Sequence, residues 1–106
     1  MKNLFVKAFN EDFQVCIHAI GDKANKEVLE AIETKEVIDV IPDDHRTRIE
    51  HAQIIKKDDI KKFFKNKVIA SIQPVHCISD MFMAEVRLGS RVNDSYLWRS
   101  LIENKI

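Results

Sequence analysis

The chain has 106 residues and a mass of 12.3 kDa, room for one domain or part of a larger one, since domains typically run to about 100–150 residues. At 45% hydrophobic and 32% charged residues it is too apolar for a disordered chain and too charged for a membrane one. Seventeen basic and seventeen acidic side chains cancel, so no excess field exists to neutralise phosphates or hold an anionic lipid surface. Nucleic acid and membrane are therefore not expected as partners.

The stretch Asn3 to Asn10 places Leu4, Phe5, Ala8 and Phe9 at helical spacing and predicts a short helix. Lys2, Lys7, Glu11 and Asp12 interrupt the region where a signal peptide is apolar, and a cytoplasmic address is expected. From Phe13 to Ile20 the chain is nearly continuously apolar up to Gly21-Asp22, which predicts a strand buried on both faces, as in parallel sheets. Asp22 suits a helix N-cap. Ala24, Val28, Ala31 and Ile32 then share one face, while Lys23/Glu27 and Lys26/Glu30 pair outside, predicting a helix from about Lys23 to Thr34. After a loop through Pro42 and Asp44, Thr47 to His51 reads as a strand, and Asp58 and Asp59 open a helix carrying Ile60, Phe63 and Phe64. Val68 to Gln73 reads as a third strand ended by Pro74. Ser79 to Leu88 reads as a helix that Ser79 and Asp80 cap, and Ser95 as the cap of a last helix through Leu97, Trp98, Leu101 and Ile102. This alternation predicts an α/β fold of about three parallel strands with flanking helices and right-handed crossovers. So small a sheet leaves edges and faces to be covered, by self-association or as a piece of a larger barrel.

Ligands of α/β folds gather at the carboxyl ends of strands, and here His18, His51 and His76 stand at such ends. His18 and His51 are 51 − 18 = 33 residues apart, about one βαβ unit, so they fall on adjacent or near-adjacent strands. With strands about 4.8 Å apart, two imidazoles can reach one metal ion. Strand alternation puts Gln14, Cys16 and His18 on one face and Phe13, Val15 and Ile17 on the other. Ser71 and Gln73 divide likewise from Ala70 and Ile72. Both strands thus predict a polar interior face. An isolated strand-end histidine is more often structural than a ligand, and the matched pair is what raises the metal reading. Glu50 reads as a base or as an ion-pair partner of Arg48, and His76-Cys77 lacks ligand spacing. Cys16 and Cys77 form no CxxC pair and are expected as reduced thiols. Phe63/Phe64 and Leu97/Trp98 are expected in the core.

The segments HAIGDKAN (His18 to Asn25), RIEHAQ (Arg48 to Gln53), DIKKF (Asp59 to Phe63), ASIQPVH (Ala70 to His76), SDM (Ser79 to Met81), RLG (Arg87 to Gly89) and YLWRSL (Tyr96 to Leu101) resemble, in order and spacing, the amidohydrolase superfamily. The resemblance is to its branch containing N-substituted formamide deformylase and related metal-dependent hydrolases of non-peptide C–N bonds. It implies part of a distorted TIM (β/α)8 barrel over residues 1–106, covering the middle to late strands. It also implies that His18 and His51 are ligands of a divalent metal, zinc by preference, that activates water against an amide-type small molecule, and that Gln73 and His76 line the substrate pocket. The family's first-strand HxH pair, its bridging carboxylate and its last-strand Asp have no counterpart in this sequence. Lys67 stands where the family has Gly, so Asn66 is expected to take the left-handed turn that ends its helix.

Three functions follow. The first is a fragment of an amidohydrolase, inactive alone and completed by another chain. The second is a non-catalytic module that oligomerises or binds a partner. The third is a stand-alone metal protein, which needs a third ligand such as His76, Asp22 or a symmetry-related residue.

Overall fold

The computed structural model describes all residues from Met1 to Ile106. Helix α1 (Lys2–Asn10) leads into strand β1 (Cys16–Ala19), helix α2 (Asp22–Ile32) and a single helical turn, α3 (Lys35–Ile38). Strand β2 (Arg48–His51), helix α4 (Lys57–Lys65), strand β3 (Ile69–Ser71) and helix α5 (Val75–Leu88) follow. A 3₁₀ helix (Gly89–Asp94) and helix α6 (Trp98–Glu103) close the chain. The strands form one parallel sheet in the order β1-β2-β3, with Cys16 level with Arg48 and Arg48 level with Ile69. This is the α/β arrangement of a barrel fragment: consecutive parallel neighbours, each joined through a helix.

The core lies between the apolar face of the sheet and the helices. Phe5 and Phe9 of α1, Val28, Leu29 and Ile32 of α2, and Ile60 and Phe63 of α4 pack there with Ile49 of β2, and Leu101 of α6 joins them. On α2 the buried stripe runs through Asn25, Val28, Leu29 and Ile32, one position round from the predicted face, with Ala24 and Ala31 at its margin. The outer pairs form as expected, Lys23–Glu27 at 3.8 Å and Lys26–Glu30 at 3.5 Å. Phe63 is buried while Phe64 faces out, and Leu97 and Trp98 are half-buried against the core.

Several boundaries differ from expectation for physical reasons. The first strand begins at Cys16 and is an edge strand whose polar face, Cys16 and His18, is exposed; Phe13, before it, is 68% exposed and lines the open groove against α1. Burial on both faces needs neighbours that this chain does not supply. Gly21, extended at φ −75°, is the cap of α2, and Asp22 is its first helical residue, accepting from the Lys23 N–H at 3.0 Å and from Arg91 at 2.9 Å. Helix α5 starts at Val75, not Ser79: the ring of Pro74 presets helical φ, so the residue expected only to end a strand also opens the next helix. Ser79 and Asp80 therefore sit inside the helix and cap nothing. Ser95 lies in a bridge to Ile54, buried, and Leu97 precedes α6. At the end of α4 it is Lys67, φ 51°, that turns left-handed, while Asn66 stays at φ −94°. The turn falls on the position where a glycine was expected, with a β-carbon penalty of about 1–2 kcal/mol.

His45, absent from the sequence-based site, is structural. It is buried, its Nδ1 accepts the Thr47 N–H at 3.0 Å, and its Nε2 is 3.0 Å from the Asn66 carbonyl oxygen, which needs a donor. Acceptance at Nδ1 demands the neutral ring, and burial pushes the imidazole below its ordinary value of 6.5 against the Asn66 carbonyl, which favours the charged form. A depressed folded-state value means that the unfolded chain takes up the proton first. The stabilisation is therefore complete above about pH 6.5 and is lost as pH falls toward the folded-state value. Urea unfolding should thus give a midpoint that climbs from pH 5 to 7 and is flat above, above the range where carboxylates titrate. His45→Gln should flatten that climb; an unchanged slope would assign it to other groups.

Candidate metal and substrate site

The polar face of the sheet gathers the side chains that alternation predicts. Glu50 stands level with His18 on one side and with Ser71 on the other, and Arg48 level with Cys16. Arg48 donates to Glu50 through Nε. The Ser71 hydroxyl first, and then Arg48, hold the Glu50 carboxyl below the usual carboxylate range. Of the two readings of Glu50, the ion pair is the one formed, and a carboxylate so occupied is a poor proton acceptor.

His18 and His51 come together at the carboxyl ends of β1 and β2, with ring centroids 4.6 Å apart and planes at 72°. Register alone does not explain this. His51 is level with Ala19, and strict alternation would turn its ring to the opposite face from Glu50 and His18. The backbone breaks that alternation: His51 has φ 71° and Ala52 φ 44°, two consecutive left-handed residues without a glycine. Such conformations cost on the order of 1–3 kcal/mol each and persist where the surroundings enforce them. Here Ala52 to Ile55 are buried behind the turn, and Asn25 ties it down by donating from Nδ2 to the Ile54 carbonyl at 3.1 Å and to those of Ala19 at 3.1 Å and Gly21 at 2.9 Å. One buried amide on α2 thus fixes both histidine-bearing loops.

His51 Nδ1 is buried with no hydrogen-bond partner, and so is Gln73 Oε1. A lone imidazole nitrogen beside a second imidazole is the donor chemistry that borderline divalent cations take, so the residues present suit one half of a metal site. No group of three His, Cys, Asp or Glu side chains is arranged to hold an ion.

His76, in the first turn of α5, adds a third ring at 5.3 Å from His51, but its Nδ1 is taken by Asp80 Oδ2 at 3.1 Å. The other oxygen of Asp80 accepts from Ser79 at 2.8 Å. Ser79 is the first cause, and His76 and Gln53 further ones, of the Asp80 carboxyl lying below its usual range. Gln53 donates to the Tyr96 hydroxyl at 3.2 Å, and the Tyr96 N–H to the Gln53 carbonyl at 2.8 Å. Asp22, the other candidate third ligand, is tied to Arg91. Both cysteines are free thiols, Cys16 exposed at the edge and Cys77 half-buried.

Sequence reasoning singled out His18, His51, Gln73 and His76, and the structure sets them at one end of the sheet. It missed Asn25, Gln53, Asp80 and Tyr96. Asn25 carried a signal, being the one polar residue on the apolar stripe of α2. The Asp80–His76 spacing of four also marked a helical pair, hidden by the late start assigned to α5.

Parallel strands joined through helices, with histidines at their carboxyl ends, match the architecture of a fragment of a (β/α) barrel. The sequence profile of the amidohydrolase family matches residues 1–106. "Protein LONG AFTER FAR-RED 3" of Arabidopsis thaliana is 38% identical over 104 residues, covering 96% of this chain and 18% of that protein. The crystal structure of an uncharacterized metal-dependent hydrolase from Pyrococcus furiosus superposes with a TM-score of 0.77 at 30% identity, over 96% of this chain and 21% of that one. A second such hydrolase, from Pyrococcus horikoshii OT3, gives 0.75 at 30% identity over 96% and 20%. The chain belongs to the amidohydrolase family. It spans about a fifth of the length of these relatives. No helix is long and apolar enough to cross a membrane.

Proposed function

We propose that this chain supplies part of the active site of a metal-dependent hydrolase of non-peptide C–N bonds, of the kind represented by N-substituted formamide deformylase, and that it acts in the cytoplasm on a small amide-type substrate. The observation that carries the reading is the His18–His51 ring pair, with the unpartnered nitrogen of His51, in a chain of this family. His18 and His51 would hold the ion, which we assign as Zn²⁺. When bound, such an ion supplies Lewis acidity, polarising the scissile carbonyl and acidifying water. Gln73 would meet the substrate with its unsatisfied amide oxygen, and His76 with its ring. Neither Glu50 nor Asp80 is free to move a proton to the leaving amine: Glu50 is paired with Arg48, and Asp80 with Ser79 and His76. This favours inactivity of the chain alone.

Its surface favours completion by a second body of protein. Beyond the open edge of β1 lies an apolar groove of about 760 Å³ against α1, lined by Leu4, Phe13, Val15 and Ile17 among others. On α5, Val75, Ile78, Phe82 and Val86 recur at helical spacing, with Ile78 and Val86 82% and 83% exposed. Apolar surface on this scale drives association. We assign its cover to a polypeptide carrying the other strand–helix units of the barrel, because that satisfies the open edges of both β1 and β3 and completes the site around the histidine pair. Self-association into a non-catalytic module covers the same faces and leaves the histidine pair without further ligands.

The test replaces the corresponding fifth of the Pyrococcus furiosus hydrolase by residues 1–106, loads Zn²⁺, and follows amine release from N-substituted formamides and acetamides. The chimera should hydrolyse them, its His51→Ala form should be slower by at least about 100-fold, and the 106-residue chain by itself should release no amine. Turnover by the chain alone, or an alanine chimera as fast as its parent, would sink the assignment.

A further inference from the structure

We propose that Asp80 is a positioning residue that locks His76 with its proton on Nδ1, so that Nε2 faces a ligand as a hydrogen-bond acceptor. A carboxylate can only accept. With Oδ2 at 3.1 Å from Nδ1, the ring nitrogen in that bond must carry hydrogen, and in a neutral imidazole the other nitrogen then carries the lone pair. The carboxylate is itself held, since the Ser79 hydroxyl occupies Oδ1 at 2.8 Å. Both residues sit on α5, four apart, so the pair is rigid with the helix that Pro74 starts. The side chain of His76 is 32% exposed and its ring lies 5.3 Å from that of His51, which sets the ring beside the histidine pair with part of its surface open.

The chemical consequence is directional. A lone pair at Nε2 receives an N–H or O–H group, so the feature of a substrate that His76 would recognise is a donor near the scissile carbonyl, such as the N–H of an amide bearing one substituent on nitrogen. The same arrangement leaves neutral His76 without a proton at Nε2 to give to a leaving group. This substrate part rests on the hydrolase reading, whereas the tautomer does not, so the test needs neither metal nor turnover.

The experiment is long-range proton–nitrogen correlation NMR on the uniformly ¹⁵N-labelled, chelator-treated chain, at a pH where imidazole is neutral. His76 should carry its proton on Nδ1. Asp80→Ala keeps a strong helix former in the middle of α5 and removes the acceptor, and there the Nδ1-protonated form should fall to the minor species. Ser79→Ala leaves the His76–Asp80 bond in place and should leave the tautomer as it is. A proton on Nε2 in the parent chain, alone or with a second on Nδ1, overturns the proposal, as does a tautomer indifferent to Asp80→Ala. Hydrolysis by the chimera tests the functional reading separately, so either can fail without the other.

Discussion

Zn²⁺ binding by the 106-residue chain disappears when His18 and His51 are both replaced by alanine, and each single replacement weakens it by at least about 100-fold. The magnitude follows from ligand count. Residues that merely orient metal-bound histidines typically account for 10–100-fold in affinity, and removing one of only two imidazoles takes away half of the donor set. His76→Ala should change affinity far less, because no group of three His, Cys, Asp or Glu side chains is arranged around one ion. Folding should hardly respond. His18 is exposed, and His51 Nδ1 is a buried group without a partner, so its removal deletes no hydrogen bond. Isothermal titration with Zn²⁺, read beside urea midpoints for each variant, separates lost coordination from lost structure. Undiminished binding in the double variant would move the site elsewhere, and His76→Ala as damaging as His51→Ala would make the third ring a ligand.

That the pair forms at all shows where sequence reasoning reaches and where it stops. The division of β1 and β3 into polar and apolar faces was legible because a strand repeats every two residues. Cys16, His18, Ser71 and Gln73 needed only to be counted, and Arg48 and Glu50 of β2 extend the same face. The meeting of His18 with His51 was legible as a spacing but not as a mechanism, because counting turns His51 away from His18. What joins them is the left-handed backbone at His51 and Ala52, and no residue type there announces it. Glycine would have done so. The same blindness moved the left-handed turn at the end of α4 to Asn66, since a lysine at φ 51° contradicts its own preference. Pro74 was ambiguous in another way: it ends strands and begins helices with equal economy, and choosing only the first displaced the start of α5 by four residues and hid the Asp80–His76 bond. The bare surfaces were anticipated from strand count, because a three-stranded parallel sheet cannot cover its own edges.

The enforced turn depends on one amide, which yields the second large effect: Asn25→Asp should unfold much of the population at neutral pH. Asn25 is fully buried, and its Nδ2 lies within 3.3 Å of four carbonyl oxygens, those of Ala19, Ile20, Gly21 and Ile54. A carboxylate at this place donates nothing and sets negative charge against four acceptors away from water. An uncompensated buried charge costs about 3–5 kcal/mol, against a total stability of about 5–15 kcal/mol for a natural domain. The sign with pH tests the cause. The introduced carboxyl ionises less readily in the folded chain than in the unfolded one, so the loss grows as pH rises through its raised value and is relieved below the unfolded value of about 3.9. Asn25→Leu carries no charge, leaves the carbonyls without their donor, and should lose less stability at neutral pH with no such relief in acid. Because the amide joins the loop after His18 to the loop after His51, the leucine variant should also weaken Zn²⁺ binding while both imidazoles remain. Denaturation curves at pH 4 and pH 7 for the two variants decide it. Equal losses at both pH values would show that the hydrogen bonds alone matter, and intact Zn²⁺ affinity in Asn25→Leu would show that the histidine loops hold their geometry without the bridge.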